Sequence, residues 1–267
     1  MKKNKLTIIG GGTIAEAMLG RVLDASILPK EDIVVSDIKE KRCKYMSDTY
    51  GIQTTMDNES AIKHADMVLL AVKPQVCAKV LDQLADYLED KSLVSIVAGY
   101  TYEDLRKHLK PSTRLLCVMP NTPALVGQGM SVLYKEHSLT EEEFDFAKSF
   151  FQSFGEIEIL SEVYADAVVS VSGSSPAFVL LFIEAMADGA VYKGLPRKTA
   201  YRLAAQSVLG AATLVKETGR HPGSLKDNVC SPGGTTIEAI RSLEKNKFRS
   251  TMMEAVIAAA EKAQRIK

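Results

Sequence analysis

Neither sign of charge is in excess in this chain: 33 Lys and Arg stand against 33 Asp and Glu, so the formal net charge is zero. Without a basic field a protein has nothing to collect phosphates along a nucleic acid or to hold an anionic membrane, and neither partner is expected. Cysteine is scarce as well. Cys43, Cys77, Cys117 and Cys230 lie dozens of residues apart with no Cys-x-x-Cys, and the four histidines do not fall near them at ligand spacing. Neither a zinc site nor a disulfide framework is supported, no metal is expected, and the thiols are predicted to be reduced and mostly buried. Long apolar runs are missing too. The start, Met1-Lys2-Lys3-Asn4-Lys5, leads into an apolar stretch too short for a signal-peptide core, and no stretch approaches the length of a membrane span. The expectation is a protein kept in the cytoplasm.

What is present is ordinary globular material: 267 residues, 46% of them hydrophobic, enough for one large or two modest domains. Short β-branched runs, 6–9, 33–36, 67–72, 93–98 and 115–119, alternate with helix-length segments. They are apolar on both faces, as buried parallel strands are, which predicts a doubly wound α/β sheet over residues 1–160. Two more runs, 131–135 and 156–160, flank a helical stretch 140–154 and extend the sheet at its far edge. From 161 to 267 the β-branched runs nearly vanish, and Ala, Leu, Met, Glu and Lys recur at helical spacing. Helices are expected over 176–193, 197–217, 235–245 and 248–266, between breakers at 194–196, 219–223 and 231–234. Small and apolar residues on several faces, Ala204-Ala205 and Gly210-Ala211-Ala212 among them, point to burial on two sides, with a partner subunit as the second cover.

Directly after the first strand stands Gly10-Gly11-Gly12-Thr13-Ile14-Ala15, a G-x-G-x-x-A pattern. Its first glycine makes the tight turn, its second lets the backbone approach a pyrophosphate, and its small third residue lets the helix pack on the sheet. At the end of the next strand, 24 residues after Gly12, comes Ser36-Asp37-Ile38-Lys39. An Asp there takes the ribose hydroxyls of NAD, whereas Ser36 with Lys39, Lys41 or Arg42 could hold the extra phosphate of NADP. Ala71-Val72-Lys73-Pro74 and Val97-Ala98-Gly99 end two further strands, at the edge where an open α/β sheet holds its ligand. Met119-Pro120-Asn121-Thr122-Pro123 is a rigid loop able to position polar side chains. In the helical half, Ser231-Pro232-Gly233-Gly234-Thr235-Thr236 leads into a helix; its glycines leave N–H groups free at the positive end of the dipole, a carboxylate site to which two hydroxyls add, or else a plain N-cap.

Along nearly its whole length the sequence resembles pyrroline-5-carboxylate reductases. The resemblance rests on Gly10 to Ala17, Ala71 to Gln75, Ser95 to Gly99, Met119 to Ala124, Asp166-Ala167-Val168, Ser172 to Ala177, Gly194-Leu195-Pro196, His221-Pro222-Gly223, Lys226 to Val229 and, most distinctively, Ser231 to Thr236. It implies an α/β Rossmann-like N-terminal domain and an all-α C-terminal dimerisation domain, with the active site drawn from both and dimers that form rings in many members. The implied reaction, the last step of proline biosynthesis, is hydride transfer from NADP(H), NAD(H) being the alternative, to a small cyclic imine. The pyrophosphate would lie on Gly10 to Ala15, the adenosine end near Ser36 and Asn58, and the nicotinamide near Ala71 to Pro74 and Val97 to Gly99. Ser231, Gly233, Gly234, Thr235 and Thr236 would hold the substrate carboxylate, with Thr236 the catalytic partner of the imine nitrogen and Glu162 close by. Family members commonly carry Asn-Met where Thr13-Ile14 stand, Gly-Pro-Ala-Tyr where Ser175 to Phe178 stand, and often a basic residue after the second strand, where this chain has Asp37-Ile38. Two other classes fit parts of the pattern: a β-hydroxyacid dehydrogenase using Lys226 and Asn228, and a nucleotide sensor without catalysis.

Overall fold

A computed structural model of the chain describes residues 5–265. The readings of Met1 to Asn4 and of the helix end at Ile266 lie outside the described residues. Eight strands, β1 Leu6–Ile9, β2 Ile33–Ser36, β3 Gln53–Thr55, β4 Met67–Leu70, β5 Ser92–Ser95, β6 Arg114–Met119, β7 Gly129–His137 and β8 Gly155–Leu160, form one sheet in the order β3-β2-β1-β4-β5-β6-β7-β8. The first six run parallel, β7 is antiparallel to β6, and β8 is parallel to β7.

Six helices belong with the sheet: α1 Thr13–Asp24, α2 Glu40–Tyr50, α3 Asn58–Ile62, α4 Pro74–Leu84, α5 Tyr102–Arg106 and α6 Glu141–Gln152. Alternation along the strands divides the core. Ile8, Leu69 and Leu116 pack with Met18, Val22, Met46 and Phe151 on one face. Ile9, Leu70 and Leu115 pack with Ile62, Leu81 and Leu105 on the other. Burial on both faces is why β4 reads as a continuous apolar run and why β1 and β5 depart from one only at buried Thr7, Ser92 and Ser95. Phe150, Phe151 and Phe154 meet edge to face, with ring centroids 5.2–5.7 Å apart. Cys43, Cys77 and Cys117 are buried free thiols, and Cys230 is half-buried and free.

The remaining helices are α7 Ala165–Val168, which runs through a π-turn Val169–Ser174 into α8 Ser175–Tyr192, then α9 Arg197–Thr218, α10 Pro222–Val229, α11 Thr235–Lys245 and α12 Phe248–Gln264. Two compact units result, one holding the chain up to Gly173 together with residues from Ala260 on, the other Ser174–Ala259. In the second unit the buried apolar residues are only Ala187, Ala200, Ala204 and Leu225, while Leu180, Leu181, Leu203 and Leu209 are exposed. One expectation is corrected here. The helical stretch Glu162–Tyr192 is long and apolar enough to cross a membrane by length and composition alone. Small serines and glycines break its run of apolar letters, yet Glu184 and Asp188 are its only charges after Asp166.

Candidate active site

The carboxyl ends of β2, β1, β4 and β5 are neighbours in the sheet, and the predicted cofactor residues stand on them. Gly10 has φ +99°, and a Cβ there would lie 2.6 Å from the Ala71 carbonyl oxygen, so only glycine lets the turn after β1 pass this close to the end of β4. Gly12 precedes α1 with open space around its Cα, and the helix has no side-chain cap. Among the described residues nothing accepts from the first N–H groups of α1, Thr13 to Ala15, at the positive end of the dipole, which fits a pyrophosphate.

Asp37 closes the other side of this turn. Its Oδ2 accepts from the Gly11 N–H at 2.9 Å and its Oδ1 from the Lys39 N–H at 2.9 Å. The buried Ser36 hydroxyl donates to Asn58 Oδ1 at 2.6 Å, which brings the two expected adenosine-side residues together. Arg42 donates to the carbonyl oxygen of Gly11, and at 3.4 Å to that of Gly12, and is paired with Glu16. Tyr45 and Tyr50 also donate to Glu16, at 2.8 and 3.2 Å. Burial alone would raise the Glu16 carboxyl; the hydrogen bonds from Arg42 and Tyr45 outweigh it and hold the group below the usual carboxylate range.

After β5, Val97, Ala98 and Gly99 line a cavity of about 80 Å³ together with Met119, Tyr134 and Glu162. Glu162 Oε1 accepts from the Tyr102 N–H at 2.8 Å, and the Glu162 N–H donates to Glu136 at 2.7 Å. Its carboxylate thereby ties the loop after β5 to the chain leaving β8. Burial, with Glu162 as a smaller cause, pushes the Tyr134 phenol and the Cys117 thiol up, so both stay protonated at neutral pH. A capping box holds the same loop: Thr101 accepts from the Asp104 N–H at 3.1 Å and donates its hydroxyl to Asp104 at 2.6 Å. That hydroxyl is the main reason the Asp104 carboxyl falls to about 2. Ala71, Val72, Lys73 and Pro74 connect β4 to α4, with Pro74 as the first helical residue.

In the second unit, Ser231 to Gly234 form a turn closed by the Gly234 N–H on the Ser231 carbonyl at 3.1 Å. Gly233 has φ +68°, which favours glycine, and a Cβ on Gly234 would meet Ser231 Oγ at 2.3 Å, so the serine side chain would have to turn aside. Thr235 and Thr236 open α11, which has no side-chain cap. Among the described residues nothing hydrogen-bonds their hydroxyls. Gly234 is the N-cap, and free N–H groups and two hydroxyls stand at the positive end of α11. Lys226 is paired with Asp227 beside it.

Two residues make ties that differ from their sequence reading: Arg42, expected as a possible holder of a 2′-phosphate, braces the glycine turn instead, and Asn121 fastens its loop to distant backbone. The tie of Arg42 to the glycine turn joins residues about thirty apart, with no local signal. Asn121, in the loop expected to be rigid, accepts from the Met130 N–H at 2.8 Å and donates to the Ser172 carbonyl at 3.1 Å, fastening β6, β7 and the π-turn together.

A doubly wound sheet with a glycine-rich first turn, an acidic second strand end and a helical region to follow defines a dinucleotide-dependent oxidoreductase. Residues 162–266 match the family described as pyrroline-5-carboxylate reductase dimerisation, and residues 5–99 the family described as NADP oxidoreductase, coenzyme F420-dependent. The pyrroline-5-carboxylate reductase of Synechocystis sp. is 43% identical, over 98% of this chain and 98% of its own. Among solved structures, the Coxiella burnetii pyrroline-5-carboxylate reductase is 31% identical, with a TM-score of 0.91, over 100% of this chain and 99% of its own. The Plasmodium falciparum pyrroline carboxylate reductase with NADP bound is 33% identical, with a TM-score of 0.89, over 99% and 98%. The chain belongs to the pyrroline-5-carboxylate reductase family. Its exposed helical leucines are accordingly those of a self-associating region.

Proposed function

We propose that this protein reduces L-1-pyrroline-5-carboxylate to L-proline with NAD(P)H, the last step of proline biosynthesis, in the cytoplasm. The observation that carries it is the pair of uncapped helix N-termini, at Gly12 before α1 and at Gly234 before α11, each on a segment the family shares. Residues 1–160 bind the dinucleotide; residues 161–267 bind substrate and dimerise, and the dimers assemble into a ring. Gly10 to Ala15 hold the pyrophosphate, Ser36, Asp37 and Asn58 the adenosine end, and Ala71 to Pro74 with Val97 to Gly99 the nicotinamide side. When bound, the dihydronicotinamide supplies a hydride to C5 of the protonated imine, whose nitrogen takes the C=N electron pair and becomes a secondary amine. Ser231, Gly233, Gly234 and Thr235 anchor the substrate carboxylate on N–H groups and hydroxyls. The Thr236 hydroxyl orients the ring nitrogen, and no strong acid is needed because the substrate arrives protonated. Glu162 stands near the substrate and fixes the loop after β5.

The test is the loss of nicotinamide absorbance when purified protein meets pyrroline-5-carboxylate with NADPH or NADH. Oxidation with proline as product is expected. A protein that binds the cofactor yet turns over no imine would be a sensor, and one that oxidised a hydroxyacid instead would act as a β-hydroxyacid dehydrogenase.

A further inference from the structure

We infer that this chain selects the dinucleotide without a 2′-phosphate, NADH over NADPH, and that Asp37 makes the choice. The inference rests on the dinucleotide reading above and concerns its adenosine end. Two backbone N–H groups hold the Asp37 carboxylate in place, from Gly11 and Lys39, both at 2.9 Å. Each oxygen keeps a lone pair, so the group presents two fixed acceptors, which match the two hydroxyls of a ribose. A 2′-phosphate would bring about 1.5 to 2 negative charges to the same place and accepts where an acceptor already stands.

The groups able to answer that charge are committed elsewhere. Arg42, beside the turn, is bonded to the Gly11 and Gly12 carbonyls and paired with Glu16, and it lies over the Tyr45 ring at 5.0 Å. Turning it outward would strip Glu16 of its cation and the glycine turn of its brace. The Ser36 hydroxyl is 1% exposed and spent on Asn58. Lys39 and Lys41 remain, both exposed, and a solvated ammonium on a flexible stem offers neither the fork nor the fixed position of a guanidinium.

Equilibrium binding without substrate tests this, by calorimetry with NADH and NADPH and with the fragments ADP and 2′,5′-ADP, which lack the nicotinamide. NADH is expected to bind about tenfold or more tightly than NADPH, and ADP to outbind 2′,5′-ADP in the same sense. Asp37→Asn keeps an oxygen acceptor for the Gly11 N–H and removes the charge; it should shrink the ratio several-fold while leaving thermal stability near that of the parent. Asp37→Ser should bring NADPH level with NADH or past it. Equal or tighter NADPH binding by the unaltered protein, or an unchanged ratio in both variants, overturns the inference. If none of the four ligands binds, the dinucleotide reading falls and the inference with it; if NADH and NADPH bind equally, only the inference falls.

Discussion

At the scale of single residues, the proposed roles of Thr236 and Gly12 separate cleanly. Thr236→Ala removes one positioned hydrogen-bond partner of the reacting nitrogen and should lower turnover about 10- to 1000-fold, with cofactor affinity nearly intact. Steady-state rates beside cofactor titrations check it, and an unchanged rate removes Thr236 from the mechanism. Gly12→Leu should do the reverse. Nothing lies within 4 Å of a Cβ at Gly12, so the backbone leaves room for one, but the leucine side chain would occupy the space read as the pyrophosphate's. Loss of cofactor binding at an unaltered melting temperature is expected; parental affinity would sink the placement of the cradle. Asp104 gives a pH signature. Its folded pKa of about 2 lies below its ordinary 3.8, so its contribution to stability is complete above pH 4 and is lost as pH falls toward 2. Asp104→Asn should therefore lower the melting temperature near neutrality, and the gap to the parent should close below pH 3. A gap of constant size down to pH 2 would show that the carboxylate's charge is not what stabilises the turn.

At the scale of elements, stability hangs on how the strands are covered. Phe151 is 1% exposed and meets Phe150 and Phe154 edge to face, so Phe151→Ala should cost about 3–5 kcal/mol in urea denaturation. Thr140 accepts from the Glu143 N–H at the start of α6, and Thr140→Ala should cost about 1 kcal/mol. What could be read from the sequence follows the same logic of burial. The strands β1, β2, β4, β5 and β6 are covered on both faces and announce themselves as apolar runs; β4 and β5 were read a few residues too long, because apolar Ala71-Val72 and Ile96-Val97-Ala98 continue past the last ladder pair. β3 is three polar residues at the sheet edge and leaves no trace in hydropathy. α10 was missed because His221-Pro222-Gly223 looks like a breaker, although Pro222 is the first helical residue and the His221 ring accepts from the Gly223 N–H at 3.1 Å. The π-turn, whose Ser172 carbonyl accepts from Asn121 in a distant loop, has no local signature. The glycine turn and the Ser231 to Thr236 loop were legible because backbone geometry there demands particular residues; the Arg42 and Glu162 ties were not, because they depend on which strands become neighbours.

At the scale of the whole molecule, the helical region cannot be understood as a monomer. Its apolar side chains outnumber what its own helices bury, and Leu180 and Leu181 on α8 are each 66% exposed. Surface of this kind marks an interface. Covering a leucine fully contributes about 1.5–3 kcal/mol, and on a two-fold interface every substitution counts twice. Leu180→Glu with Leu181→Glu should thus remove about 6–12 kcal/mol of association free energy per dimer if both residues are covered there, enough to weaken a nanomolar dimer to roughly tens of micromolar or beyond. Light scattering behind a sizing column should find the parent as a dimer or a multiple of one, and the double variant as a monomer with a lowered melting temperature. A parent that runs as a monomer at micromolar concentration, or a variant of unchanged mass, would move the interface off α8. Because the variant leaves the glycine turn untouched, it should still bind ADP, so its loss of turnover would measure how far catalysis depends on the second copy.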